Sequence, residues 1–137
     1  MIDKGKIITE FVNNFIQKDK TERTIFELSE SKKRHKFINR LNHRWDAILK
    51  MKLLTEISVL NDDSDTIQEL LKFGSDDLCY VISNYGEYDD KILPFGVVFN
   101  KIYAAGLATL LVNISANTIF LETEQEKGRP PRFIGRK

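Results

Sequence analysis

A chain of 137 residues, 42% hydrophobic and 30% charged, has the size and composition of one folded domain with one core, which excludes a disordered chain. Its one cysteine, Cys79, excludes an intrachain disulfide and a Cys-rich zinc site, and no apolar run approaches the roughly 20 residues that cross a bilayer. The net charge of +1 hides segregation: residues 1–52 hold 13 Lys/Arg against 7 Asp/Glu, residues 53–96 hold 2 against 10, and residues 97–137 hold 6 against 3. Such alternation reads either as separate binding surfaces or as neighbouring segments that complement one another within the fold.

The first residues lack the apolar core of a secretory signal, and acids at Asp3, Glu10 and Asp19 are unlike a transit peptide, so a soluble, cytoplasmic chain is expected. A helix starts near Asp3 and repeats Ile7, Ile8, Phe11, Val12, Phe15 and Ile16 with helical period. Asp19 and Glu22 fit a capping box, which predicts a short second helix that buries Ile25, Phe26 and Leu28 and loosens at residues 29–31. The third helix begins there and runs as far as Leu49, unless Asn42 and His43 end it sooner. At about 100° per residue, Phe37, Ile38, Leu41, Trp45 and Ile48 share one sector, so Trp45 is expected to be largely buried. Lys32, Lys33, Lys36, Arg40, His43 and Arg44 share the opposite one. It is a basic amphipathic helix.

Residues 53–60 fit either a strand or a helix tail, and 61–64 a loop. Asp65 and Gln68 form a second capping pair, opening a helix with Ile67, Leu70 and Leu71 on one face and Gly74 as its stop. Residues 78–82 and 107–114 are short apolar runs of strand character, separated by a helix over 94–105 with Pro94 at its first position and Gly106 beyond its end. That order predicts a parallel βαβ unit, and apolar residues at successive positions predict a sheet covered on both faces. A turn at 115–117 leads to an antiparallel strand over 118–123. Pro130 and Pro131 exclude a regular central strand there, and Phe133 with Ile134 fits an edge strand or a mobile tail.

The expected fold is a single α+β domain, an N-terminal helical layer packed on a small mixed sheet with one βαβ unit and a C-terminal hairpin. Residues 1–52 form its basic helical part, and residues 53–137 an acidic helix followed by a β-α-β-β part.

Three constellations can carry chemistry. Lys32, Lys33, Lys36, Arg40 and Arg44 make a helix face that can follow a phosphate backbone, where released counterions supply the affinity. The bland alternatives are a solvated face or one docked on the acidic 53–96 stretch, and Phe37 and Trp45 lie opposite instead of interleaving with the cations. In a βαβ unit the two post-strand loops share an edge, which would bring together Asn84, Asp89, Asp90 and Asn113, hard oxygen donors suited to a divalent cation. An ordinary polar turn has the same composition. Glu122 followed by Gln125-Glu126-Lys127 echoes the acid-x-lysine pattern of metal-dependent nucleases, but reads as a charged strand end that blunts a sheet edge.

His35 and His43 do not face a common ligand and read as surface residues; Cys79 reads as core. Phosphate loop, nucleophile elbow and Cys–His pairing are all missing from the sequence, and no cofactor is implied. The expectation is a non-enzymatic binding or regulatory module that contacts nucleic acid or another polyanion, with no membrane partner. The alternatives are a protein-interaction module using a sheet edge and a metal-dependent enzyme with its site in the 84–90 loop.

Overall fold

The computed structural model describes residues 2–57, 77–102, 106–124 and 132–137. Three helices lead the chain: α1 Lys4–Phe15, α2 Thr21–Ser29 and α3 Arg34–Ile48. Then come strand β1 Leu54–Glu56, β2 Leu78–Ser83, β3 Ile92–Pro94, helix α4 Phe95–Ile102, β4 Thr109–Asn113, β5 Thr118–Glu122 and β6 Arg132–Arg136. The fold is α+β, with the strands in one sheet of order β1-β6-β5-β4-β2-β3. The capping pair Asp65/Gln68, its helix and Gly74, and the Gln125-Glu126-Lys127 triplet, lie outside the described residues.

Alternation along the strands sends side chains to two cores. Tyr80, Ile82, Leu110, Val112, Ile119, Leu121 and Phe133 face the N-terminal helices. Cys79, Val81, Leu111, Phe120 and Ile134 face α4 through its Phe95, Val98, Phe99 and Ile102. The successive apolar residues of β2 and β4 thus find cover on both faces, as their pattern requires.

The expected parallel βαβ unit over residues 78–82 and 107–114 is not formed: β2 and β4 are antiparallel, Cys79 opposite Asn113 and Ser83 opposite Thr109. The cause is β3. This three-residue strand turns back along β2, Leu78 opposite Pro94, and reverses the chain before α4 begins. Since β3 and β4 both run antiparallel to β2, the parallel pair joined by α4 is β3 and β4, with β2 between them. Every pairing in the sheet is antiparallel, so it is not mixed. Pro94, which has no N–H to give, ends the edge strand rather than opening the helix. The β4–β5 hairpin forms as expected. Phe133 and Ile134 belong to β6, which is an inner strand because β1 pairs along its far side.

In the helical layer, Asp3 caps α1 by accepting from the Lys6 N–H, and Ile7, Ile8, Phe11, Val12 and Phe15 are buried. The ends of α1 and α3 are pinned together: Gln17 N–H donates to Ile48 O at 2.8 Å and Lys50 N–H to Phe15 O at 2.7 Å. The capping box at Asp19 and Glu22 does not form. Residues Lys18–Lys20 wind into a 3₁₀ turn that leaves Lys20 at the cap position, and Asp19 pairs with Lys20 at 3.5 Å instead. Helix α2 buries Thr24, Glu27 and Leu28, and Phe26 stands 56% exposed, contrary to expectation. Helix α3 kinks at Arg44 (φ −141°, ψ 33°). Beyond the kink Trp45 is half-buried rather than enclosed, its ring 4.6 Å from that of Phe133.

Gly135 of β6 lies between β1 and β5, opposite both Leu54 and Ile119. A Cβ at this position would lie 2.7 Å from side-chain atoms of each. Gly135→Val should therefore lower stability by about 1–3 kcal/mol, the usual cost of overpacking. A urea melt with an unchanged midpoint would contradict this packing.

Candidate functional site

The cations expected on one face of the third helix divide into two groups. Lys32 and Lys33 sit in the turn before α3, and Lys36, Arg40 and Arg44 follow at four-residue spacing along it. Lys32, Lys36 and Arg44 are exposed; Lys33 and Arg40 are half-buried. Arg40 forks onto Glu27 of α2, Nη1 donating to Oε2 at 2.9 Å and Nη2 to Oε1. Arg23 brings its Nε within 3.4 Å of the same Oε2. The Glu27 carboxylate is only 3% exposed. Burial alone would raise its pKa, but the hydrogen bond and charge of Arg40, with those of Arg23, hold it below its ordinary value. Two guanidinium groups meet one carboxylate, so the cluster keeps a positive charge. Exposed acids flank the face at Glu30 and Asp46, and His43 lies 4.0 Å from Glu124.

A second polar cluster lies under α3, and sequence reading missed its centre. Arg34 stands among the lysines, yet at about 100° per residue it falls in the sector of Ile38 and Leu41. That wheel position was the available signal. Its guanidinium donates from Nε to Asp89 Oδ2 at 2.9 Å and from Nη2 to Oδ1 at 2.7 Å. Nη1 donates to Leu28 O at 2.8 Å and to the Tyr80 hydroxyl at 2.7 Å. Tyr80 in turn donates to Asp90 Oδ1 at 2.7 Å, and Lys4 Nζ donates to Asp90 O at 2.6 Å. Burial works against the charge on Arg34, but Asp89, Tyr80 and Asp90 outweigh it and hold the guanidinium charged. Burial, and then Asp90, raise the Tyr80 phenol well above its ordinary range against the pull of Arg34, so it stays a donor.

The four oxygen-bearing residues expected at one edge are not brought together. Asn84, Asp89 and Asp90 occupy the loop after β2, where Asn84 is exposed and its N–H donates to Ala108 O at 3.0 Å. Asn113 is at the other end of the sheet, opposite Cys79, because the strands are antiparallel. There its Oδ1 accepts from the Asn117 and Thr118 N–H groups and closes the β4–β5 turn. Asp89 also accepts from the Ser83 N–H at 3.0 Å, so both loop carboxylates are committed to protein donors. Among the described residues no group of three or more His, Cys, Asp or Glu side chains is placed to hold a metal ion.

At the same end of the sheet a polar row crosses four strands in register: Ser83, Thr109, Glu122 and Arg132. All four are buried, and Glu122 is 0% exposed. The Ser83 and Thr109 hydroxyls are 2.7 Å apart, and Arg132 Nε donates to Glu122 Oε1 at 2.9 Å. Glu122 therefore does not blunt a sheet edge; β5 is a central strand, and the carboxylate is an interior ion-pair partner. The Cys79 thiol, buried on the α4 face, is pushed up by burial to about 12 and is inert at neutral pH. No family model, curated protein or solved structure matches this chain.

Arg34→Met leaves the half-buried Asp89 without its counter-ion and removes the buried partner of the pair. It should cost up to about 3–5 kcal/mol in a urea melt, the range for breaking a buried pair from one side. Arg34→Lys should recover little, because a point charge cannot fork onto both carboxylate oxygens. Recovery to wild-type stability with lysine would show that charge alone matters there.

Glu27 carries a pH signature. Its folded pKa is depressed below the ordinary 4.5, so its contribution is fully present above that value and is lost as pH falls through the lower folded-state value. The stability gap between wild type and Glu27→Gln should hold steady near neutrality and shrink in acid below pH 4.5. A gap that stays constant down to about pH 3 would contradict a charged Glu27 in the fold.

Proposed function

We propose that this chain is a non-enzymatic binding module of the cytoplasm that contacts the phosphate backbone of a nucleic acid through the outer face of α3. The observation that carries the reading is the exposure of Lys32, Lys36 and Arg44; among the described residues of the acidic stretch, Asp89 and Asp90 meet Arg34 and Lys4. Arg40 adds a guanidinium held in a fixed position by Glu27. Cations at one-turn spacing along a helix suit the regular charge of a phosphate chain, and releasing its counterions supplies the binding free energy. A lone cysteine kept as a buried thiol fits a reducing compartment. Strand addition is less favoured. Both edge strands, β1 and β3, are three residues long, and β3 ends in proline, which leaves little ladder for an incoming chain.

The structure changes how the reading is tested. Arg40 belongs to the fold as well as to the surface, so a binding-deficient variant should spare it. Replacing Lys32, Lys33, Lys36 and Arg44 with alanine should abolish binding to mixed-sequence DNA in fluorescence anisotropy. Each change should stay within about 0.5 kcal/mol in stability. The slope of log affinity against log salt should flatten by about 0.9 for each duplex phosphate contact removed. Wild type that binds nothing at low salt, or a variant that binds like wild type, sinks the proposal.

A further inference from the structure

Among the described residues Phe26 is the only phenylalanine or tryptophan that stands exposed, at 56%. It sits on the outer crest of α2, about 180° from the sector of Thr24 and Leu28 that faces the core. Arg23 lies one turn earlier on the same flank, and residues three apart on a helix are surface neighbours. Arg23 and Arg40 both reach Glu27, which joins the flank of α2 to the outer face of α3. The surface therefore runs from an aromatic ring, through two guanidinium groups, to Lys36 and Arg44 one turn to either side of Arg40. An aromatic platform beside a line of cations is the arrangement that holds unpaired bases, since the cations track the backbone while a base stacks on the ring. A duplex would use the cations alone, because its bases are already stacked and paired.

We infer that the nucleic acid bound by this face is single-stranded, with a base stacked on Phe26. This rests on the proposed phosphate contact through α3 and adds the state of the strand. Phe26 makes no contribution to either buried core, so replacing it leaves the fold intact, and a urea midpoint equal to wild type verifies that for each variant.

The test is anisotropy with labelled oligo(dT) of about 12 nucleotides and a mixed-sequence duplex of the same length, against wild type, Phe26→Ala and Phe26→Trp. Phe26→Ala should weaken oligo(dT) binding roughly 5- to 150-fold, the range for losing one stacked base, with duplex affinity and salt slope unchanged. Phe26→Trp should bind oligo(dT) at least as well as wild type. Equal oligo(dT) affinity in Phe26→Ala and wild type overturns the inference, and so does an equal loss on both probes. Wild type that binds the duplex but not oligo(dT) overturns it while leaving the phosphate contact standing. Wild type that binds neither removes both.

Discussion

The fork of Arg34 onto Asp89 sets how the helical layer sits on the sheet. A guanidinium 5% exposed needs a counter-charge and a partner for its N–H groups, because an unpaired buried charge costs several kcal/mol. Asp89, Tyr80 and Leu28 supply these from the loop after β2, from β2 itself and from the end of α2. Only one rotation of α3 about its axis satisfies them together. With Arg34 turned inward beside Phe37 and Leu41, helix geometry sends Lys36 and Arg40 outward along the flank shared with α2. The surface proposed to bind nucleic acid follows from this interior contact. Among the described residues Arg34 and Lys4 are complemented by the acidic stretch, while Lys32, Lys36 and Arg44 are exposed.

Two buried carboxylates act in the same way on a smaller scale. Glu27 ties α2 to α3 through Arg40, and Glu122 ties β5 to β6 through Arg132. Such pairs add little net stability over apolar residues of equal volume, but they are costly when mismatched. Their effect is on which residues meet. A one-residue slip of β6 against β5 would move Arg132 away from Glu122 and would also set Ile119 against a residue bulkier than Gly135. Charge and volume therefore select one register for the inner strands.

Much of the fold was legible in local pattern. The apolar stripe and Asp3 cap of α1, the β4–β5 hairpin and a sheet covered on both faces all follow from periodicity and turn residues. What failed to show was decided by pairing across the chain. Three residues of β3 are too few to display a period, and Pro94 after them resembles the start of a helix, so the chain reversal at β3 was invisible and the strand direction came out wrong. The expected edge of Asn84, Asp89, Asp90 and Asn113 fell with it. Buried charges mislead in a related way, since Arg34 in a lysine run and Glu122 at a strand end look like surface residues until their partners, 55 and 10 positions away, are known. Phe26 is the converse case. Glu27 takes the inward position because Arg40 and Arg23 meet it there, and the phenylalanine is turned out.

That the outer faces of α2 and α3 form the binding surface is tested most directly by mapping amide chemical shifts of isotope-labelled protein titrated with oligo(dT). Shifts confined to residues 23–44, largest around Phe26 and Lys36 and absent from the loop holding Asp89 and Asp90, are the predicted result. Shifts centred on residues 84–91 or on the 113–118 turn, with residues 23–44 unmoved, would contradict it.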